Sequence, residues 1–173
     1  MRIALLVLSF FAATWASAGL LVSGETPDLI LIPIALSLAL VFYGWRGQHT
    51  LRPRSANAGK ILGLWSAVEG LAMFVTAIVL QKLDRDDLMF PAMAMIVGLH
   101  FFPLARGIPA PSYYATGAAL VFAGLIGFIL PPAERAIVVG MCAALILWAT
   151  SLRLILLSRQ VETSSSPSKG SLS

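Results

Sequence analysis

Residues 112–131 read SYYATGAALVFAGLIGFILP, twenty consecutive positions without a charged side chain. A helix crossing the hydrocarbon core of a bilayer needs about 20 mostly apolar residues, at ~1.5 Å of rise each. This stretch has that length and that content. The same reading extends outward, because residues 3–24, 29–45, 107–133 and 136–152 also contain no Asp, Glu, Lys or Arg. Of 173 residues, 58% are hydrophobic and 12% charged, and the mean hydropathy is +0.88. Soluble domains carry about 25% charged residues. Half that charge cannot wet the surface of a globule this size, so the surface must face lipid.

The expected fold is therefore all-α, a polytopic transmembrane helical bundle of about six spans, at 3–23, 28–46, 60–81, 88–106, 112–131 and 134–157. Turn-forming segments separate them: SGETPD at 23–28, DRDD at 84–87, RGIPAPS at 106–112 and PPAE at 131–134. Short connections favour antiparallel neighbours. Residues 1–160 make one bundle domain, and the Ser-rich segment 161–173 reads as a disordered cytoplasmic tail.

Orientation follows from the placement of Lys and Arg. With the N-terminus inside, nine of them (Arg2, Arg46, Arg52, Arg54, Lys60, Arg106, Arg153, Arg159 and Lys169) fall on the cytoplasmic side, against three (Lys82, Arg85 and Arg135) outside. Tyr43, Trp45, Tyr113, Tyr114 and Trp148 fall near the proposed cytoplasmic boundary, where an interfacial aromatic belt belongs. The expectation is N-in and C-in. Span 1 has a positive start, an apolar core and an ASA at 16–18, features shared with a secretory signal. Its apolar run continues through Leu20, Leu21 and Val22, which favours a retained span.

The net charge of +4 does not point to nucleic acid, since the basic residues are gathered in short loops beside spans. Arg46, Arg52, Arg54 and Lys60 cluster around one such loop, where they would attract anionic lipid headgroups at about 1 kcal/mol each. The single cysteine, Cys142, lies inside a span, so no intrachain disulfide can form.

Lipid is as apolar as leucine, so small residues that let backbones approach do much of the packing. Three ridges stand out: Ser9, Ala13 and Ser17; Gly59, Gly63 and Ala67; and Ala115, Ala119, Ala123 and Gly127 at strict four-residue spacing. Such ridges serve a homo-oligomer interface or packing within one chain.

Two titratable side chains lie deep in the spans, Glu69 and His100. Ionisable groups at membrane depth are costly and usually functional, with a partner nearby. Glu69 is nine residues from Lys60, about 13 Å, and His100 is six from Arg106, about 9 Å. Their depths agree within a turn, and their spans are joined by a short loop, so a contact is allowed. Ser66 and Thr76, on the glutamate's face, are expected as further hydrogen-bond partners. Pro103 cannot bond back to the Leu99 carbonyl, which leaves that group needing another partner. A carboxylate beside an imidazole is suited to handling protons, and equally to clasping two helices.

His100 could ligate a haem iron opposite Met89 or Met93 on its face, but no second histidine lies in a span and methionine stripes usually fill gaps, so no cofactor is expected. No metal or catalytic site is expected either. The chain has no HExxH, GxSxG, Walker A or CxxC pattern, and so does not read as an enzyme.

Residues 97–106, VGLHFFPLAR, resemble a segment of small uncharacterised bacterial multi-pass membrane proteins, a domain of unknown function carrying GLHF-x-PLA. That resemblance implies a bacterial cytoplasmic (inner) membrane location and makes His100 and Pro103 family features. It brings no activity with it. The functional expectation is an integral multi-pass membrane protein with proton-linked small-solute transport through Glu69 and His100. The alternative is a non-catalytic accessory or structural protein in which that pair is a clasp.

Overall fold

The computed structural model describes residues 2–45, 58–107 and 112–164. Among them are six α-helices, α1 (Arg2–Val22), α2 (Leu31–Trp45), α3 (Ala58–Lys82), α4 (Met89–Gly107), α5 (Ser112–Ile129) and α6 (Pro132–Ser164), and no strand. Short 3₁₀ turns, Pro27–Ile30 and Asp86–Leu88, lead into α2 and α4. All six apolar segments are long enough to cross a membrane. Large side chains such as Phe10, Leu38, Leu71 and Phe122 stand more than 60% exposed around the outside. Water would not tolerate that much apolar surface; a bilayer would.

The helix boundaries follow local chemistry. Pro27 starts the turn before α2, where a missing N–H costs nothing. Gly24, at φ 76°, lets the chain turn after α1. Helix α4 runs through Pro103 without a break. Helix α6 continues to Ser164, seven residues beyond the expected end at 157 and into the segment read as a tail. Residues 165–173 lie outside the described residues.

Two antiparallel pairs form the centre, α1 with α6 and α4 with α5. Small residues bring the backbones together in both. A Cβ on Gly19 would lie 2.9 Å from the Ala136 carbonyl oxygen, and one on Gly140 2.9 Å from that of Trp15. Between them Ala12, Ala16, Ala143 and Ala144 are completely buried. In the second pair, Gly98 and Gly117 face each other so closely that a Cβ on Gly117 would sit 2.7 Å from the Gly98 carbonyl oxygen. Phe101 and Tyr113 stack edge to face beside them, with centroids 5.6 Å apart.

This assigns the ridges. On α5 the buried face runs through Tyr113, Gly117, Leu120, Gly124 and Gly127. Of the strict four-residue ridge, Ala123 and Gly127 belong to the buried side, Ala119 lies at its margin and Ala115 is exposed. The reason is geometric: at ~3.6 residues per turn, each four-residue step drifts about 40° around the helix. On α1, Ser9 is buried while Ala13 and Ser17 lie at the margin. On α3, a Cβ on Gly63 would meet no atom of the described residues within 4 Å, and Ala67 is exposed.

The aromatic belt also needs correction. Tyr113 is 3% exposed and Trp148 8%, so both point into the bundle. Tyr43, Trp45 and Tyr114 remain on the outside. The linear pattern carried no information about the rotation of these rings around the helix.

Candidate functional site

Helix α3 is the outermost of the six. Its one extensive neighbour among the long helices is α4, and the membrane-spanning window Gly63–Lys82 has no fully buried residue. The two helices meet along a seam of mostly apolar side chains, in which Met73 reaches the central core. Into this seam project Glu69 from α3 and His100 from α4. His100 Nδ1 lies 3.5 Å from Glu69 Oε2, and the side chains are 10% and 20% exposed. The imidazole also faces the backbone of Trp65, one turn before Glu69.

The contact has the separation of an ion pair without the alignment of a hydrogen bond. Nδ1 of His100 is buried and has no hydrogen-bond partner. Its ring is held from behind by Phe101, edge to face at 6.5 Å. Buried polar groups are normally satisfied, so an imidazole nitrogen left open beside a carboxylate marks this contact out from the rest of the seam.

Ser66 and Thr76 do not join the pair. Ser66 is exposed and Thr76 half-buried, and neither hydrogen-bonds to Glu69 among the described residues. Ser66 is three residues away and about 60° around the helix, while Thr76 is on the right face but about 10 Å along it. Pro103 lies less than a turn beyond His100 and is half-buried. Arg46, Arg52 and Arg54 lie outside the described residues; Lys60 is within α3, but its side chain is outside them too. Among the described residues no group of three His, Cys, Asp or Glu side chains could hold a metal ion.

Polar features that the linear pattern did not single out are built around three other links. At the end of the bundle where α4 and α6 begin, Arg135 is 8% exposed and pairs with Asp87 of the turn before α4. Its Nε donates to the Leu130 carbonyl at 2.9 Å and its Nη2 reaches that of Phe128 at 3.4 Å. Those carbonyls end α5, where Pro131 and Pro132 cannot supply donors. One guanidinium thus ties the α5–α6 corner to α4. Near the other end, Thr116 of α5 and Thr150 of α6 share a hydrogen bond of 2.7 Å between hydroxyls. Trp148 Nε1 donates to Ser37 Oγ of α2. The signal for the first link was present: Asp86 and Asp87 precede α4 and Arg135 lies in the first turn of α6, at the same end of the bundle.

Residues 28–157 match the family model described as Family of unknown function (DUF7010), and the chain belongs to that family. No curated protein and no solved structure matches the chain. The family match begins after α1 and covers α2 to most of α6.

Proposed function

We propose that this DUF7010 member is a non-catalytic, multi-pass protein of the bacterial cytoplasmic membrane in which Glu69 and His100 clasp α3 onto α4. The observation that carries this reading is the position of the pair. It sits in the seam between an outer helix and its one extensive helix neighbour, away from the tightly packed α1–α6 and α4–α5 contacts. A polar link in such a seam holds where apolar packing alone is weak, because lipid competes for the same surface.

The chain is oriented N-in and C-in, with nine of its twelve Lys and Arg residues on the cytoplasmic side. The basic residues Arg46, Arg52, Arg54 and Lys60 then lie where anionic headgroups are found. The ridge of Gly59, Gly63 and Ala67 on α3 is where a second copy of the chain would pack. The reading as a non-enzyme rests on the sequence, which has none of the nucleophile or metal patterns named above.

One observation favours the second reading, proton-linked solute transport: the buried, unbonded Nδ1 of His100 beside a carboxylate. The two readings separate in one experiment. Purified protein carrying Glu69→Gln or His100→Gln is titrated with denaturing detergent, and the same variants in proteoliposomes are assayed for proton flux. The clasp reading expects each variant to lose about 1 kcal/mol of stability, the usual size of a polar link between membrane helices. A variant as stable as the wild type that loses a proton flux would instead establish transport.

A further inference from the structure

We propose that the clasp is a proton-dependent switch, so that α3 docks tightly on α4 when Glu69 and His100 hold one proton between them and loosens when they hold none or two. The inference rests on the clasp reading and adds its regulation. With one proton the pair is neutral overall, either as carboxylate with imidazolium or as carboxylic acid with imidazole. With none it carries a net negative charge, and with two a net positive one. Either net charge in an apolar seam is costly, and the cost falls on the contact that holds it there. Because the two groups interact, they load protons as a pair.

Three features of the fold make α3 the element that responds. It has one extensive helix neighbour. Its spanning window contains no fully buried residue. The paired atoms stand at 3.5 Å with His100 Nδ1 unbonded, and the imidazole's other polar contact is the Trp65 backbone, which does not titrate.

No other charged group among the described residues makes an ion pair with either member. From α5, the phenol rings of Tyr113 and Tyr114 meet Phe101 and Phe102 of α4. From α6 come half-buried Cys142, exposed Arg153, and Arg135, which is committed to Asp87. The turn before α4 carries Asp86 and Asp87, and Arg85 beside it bonds Asp87. Lys82 lies at the far end of α3 and exposed Arg106 at the end of α4.

The test uses the full chain in proteoliposomes, with Cys142→Ala and nitroxide labels on Leu71→Cys of α3 and Leu125→Cys of α5. Both positions are exposed, at 63% and 49%. The label-to-label distance distribution is measured by pulsed spin resonance from acid to alkaline pH. The expected result is a narrow distribution at intermediate pH that widens on both sides. Glu69→Gln should abolish the alkaline widening and keep the acid one, because only the imidazole can then gain charge. His100→Gln should do the reverse. A wild-type distribution that stays narrow at every pH, or widening that both Gln variants retain unchanged, overturns the switch. The double variant Glu69→Ala/His100→Ala separates the two ideas. If it is wide throughout while the wild type ignores pH, the clasp stands and the switch fails. If it is as narrow as the wild type throughout, the clasp itself fails, and the switch with it.

Discussion

Trp148 of α6 donates its indole N–H to Ser37 Oγ of α2 at 2.9 Å, with both residues more than 90% buried. The bond fastens α2, which otherwise leans mainly on α1, to the central helix of the bundle. Removing the serine hydroxyl leaves a buried donor unpaired, at a cost of about 1–2 kcal/mol. Ser37→Ala should therefore shift unfolding in a denaturing detergent titration to lower detergent. In a Trp148→Phe background the same substitution should have almost no effect, because no donor remains to be stranded. Equal losses in both backgrounds would mean that Ser37 acts through packing.

Arg135 makes a stronger prediction. Its guanidinium is buried and divided between the Asp87 carboxylate and two carbonyls at the end of α5. Breaking a buried ion pair from one side leaves an uncompensated charge and costs about 3–5 kcal/mol. Asp87→Asn should approach the lower end of that range, since the carbonyls still accept from the arginine. Arg135→Gln should cost about as much, because it leaves two carbonyls without their donor while Asp87 keeps only Arg85. Detergent unfolding of the two single variants and the double variant gives the interaction directly, and simple additivity would show that the pair is not coupled.

The two threonines offer a smaller effect with a distinct signature. Thr116 Oγ1 lies 3.0 Å from the Ser112 carbonyl, Thr150 Oγ1 lies 2.8 Å from that of Ile146, and the hydroxyls are 2.7 Å apart. Two hydroxyl protons serve three contacts, so one hydroxyl donates across to the other helix and one donates to its own. Either Thr→Val variant removes the bond between helices. Both should lose about 0.6 kcal/mol, the mean for such bonds in membrane bundles, and the double variant should lose no more than one of them. Losses that add would assign the effect to the individual backbone contacts.

The orientation is checked independently by accessibility. A cysteine placed at Asp84, in a Cys142→Ala background, should react with an impermeant thiol reagent added to intact cells. One placed at Arg106 should react only after the cells are opened. The reverse pattern would overturn the N-in assignment.

What could be read from the chain divides by the kind of information each feature needs. Span positions depend on runs without charge, so the helices lie within a few residues of their expected places, apart from the longer α6. Depth depends on counting residues from a charged boundary, and that alone placed Glu69 level with His100. Rotation around a helix axis depends on which neighbour each face meets, and uniformly apolar helices give no polar face to read it from. Trp148 and Tyr113 were assigned to the lipid interface for that reason, and Ala115 to a packing ridge. The Arg135 link escaped because charge counting treats each basic residue as a marker of sidedness and does not ask which carboxylate it can reach.

Glycine substitutions test the helix arrangement most directly. Within a helix, Gly→Ala removes backbone freedom from the unfolded chain and stabilises by up to about 1 kcal/mol where the new methyl has room. It has none at Gly98 or Gly117, where the methyl would lie 2.8 Å and 2.7 Å from a facing carbonyl oxygen. The helices must then separate, and since lipid fills the gap as readily as protein, the lost close packing is not recovered. Gly98→Ala and Gly117→Ala should each destabilise the bundle by about 1–3 kcal/mol, the usual cost of overpacking. Gly63→Ala and Gly70→Ala, with nothing within 4 Å, should leave the monomer unchanged or slightly firmer. Detergent unfolding of the four variants reads this contrast. Matching losses at all four positions would mean that α3 packs on a helix through its small-residue face, and light scattering of the purified protein would then reveal whether that helix belongs to a second copy.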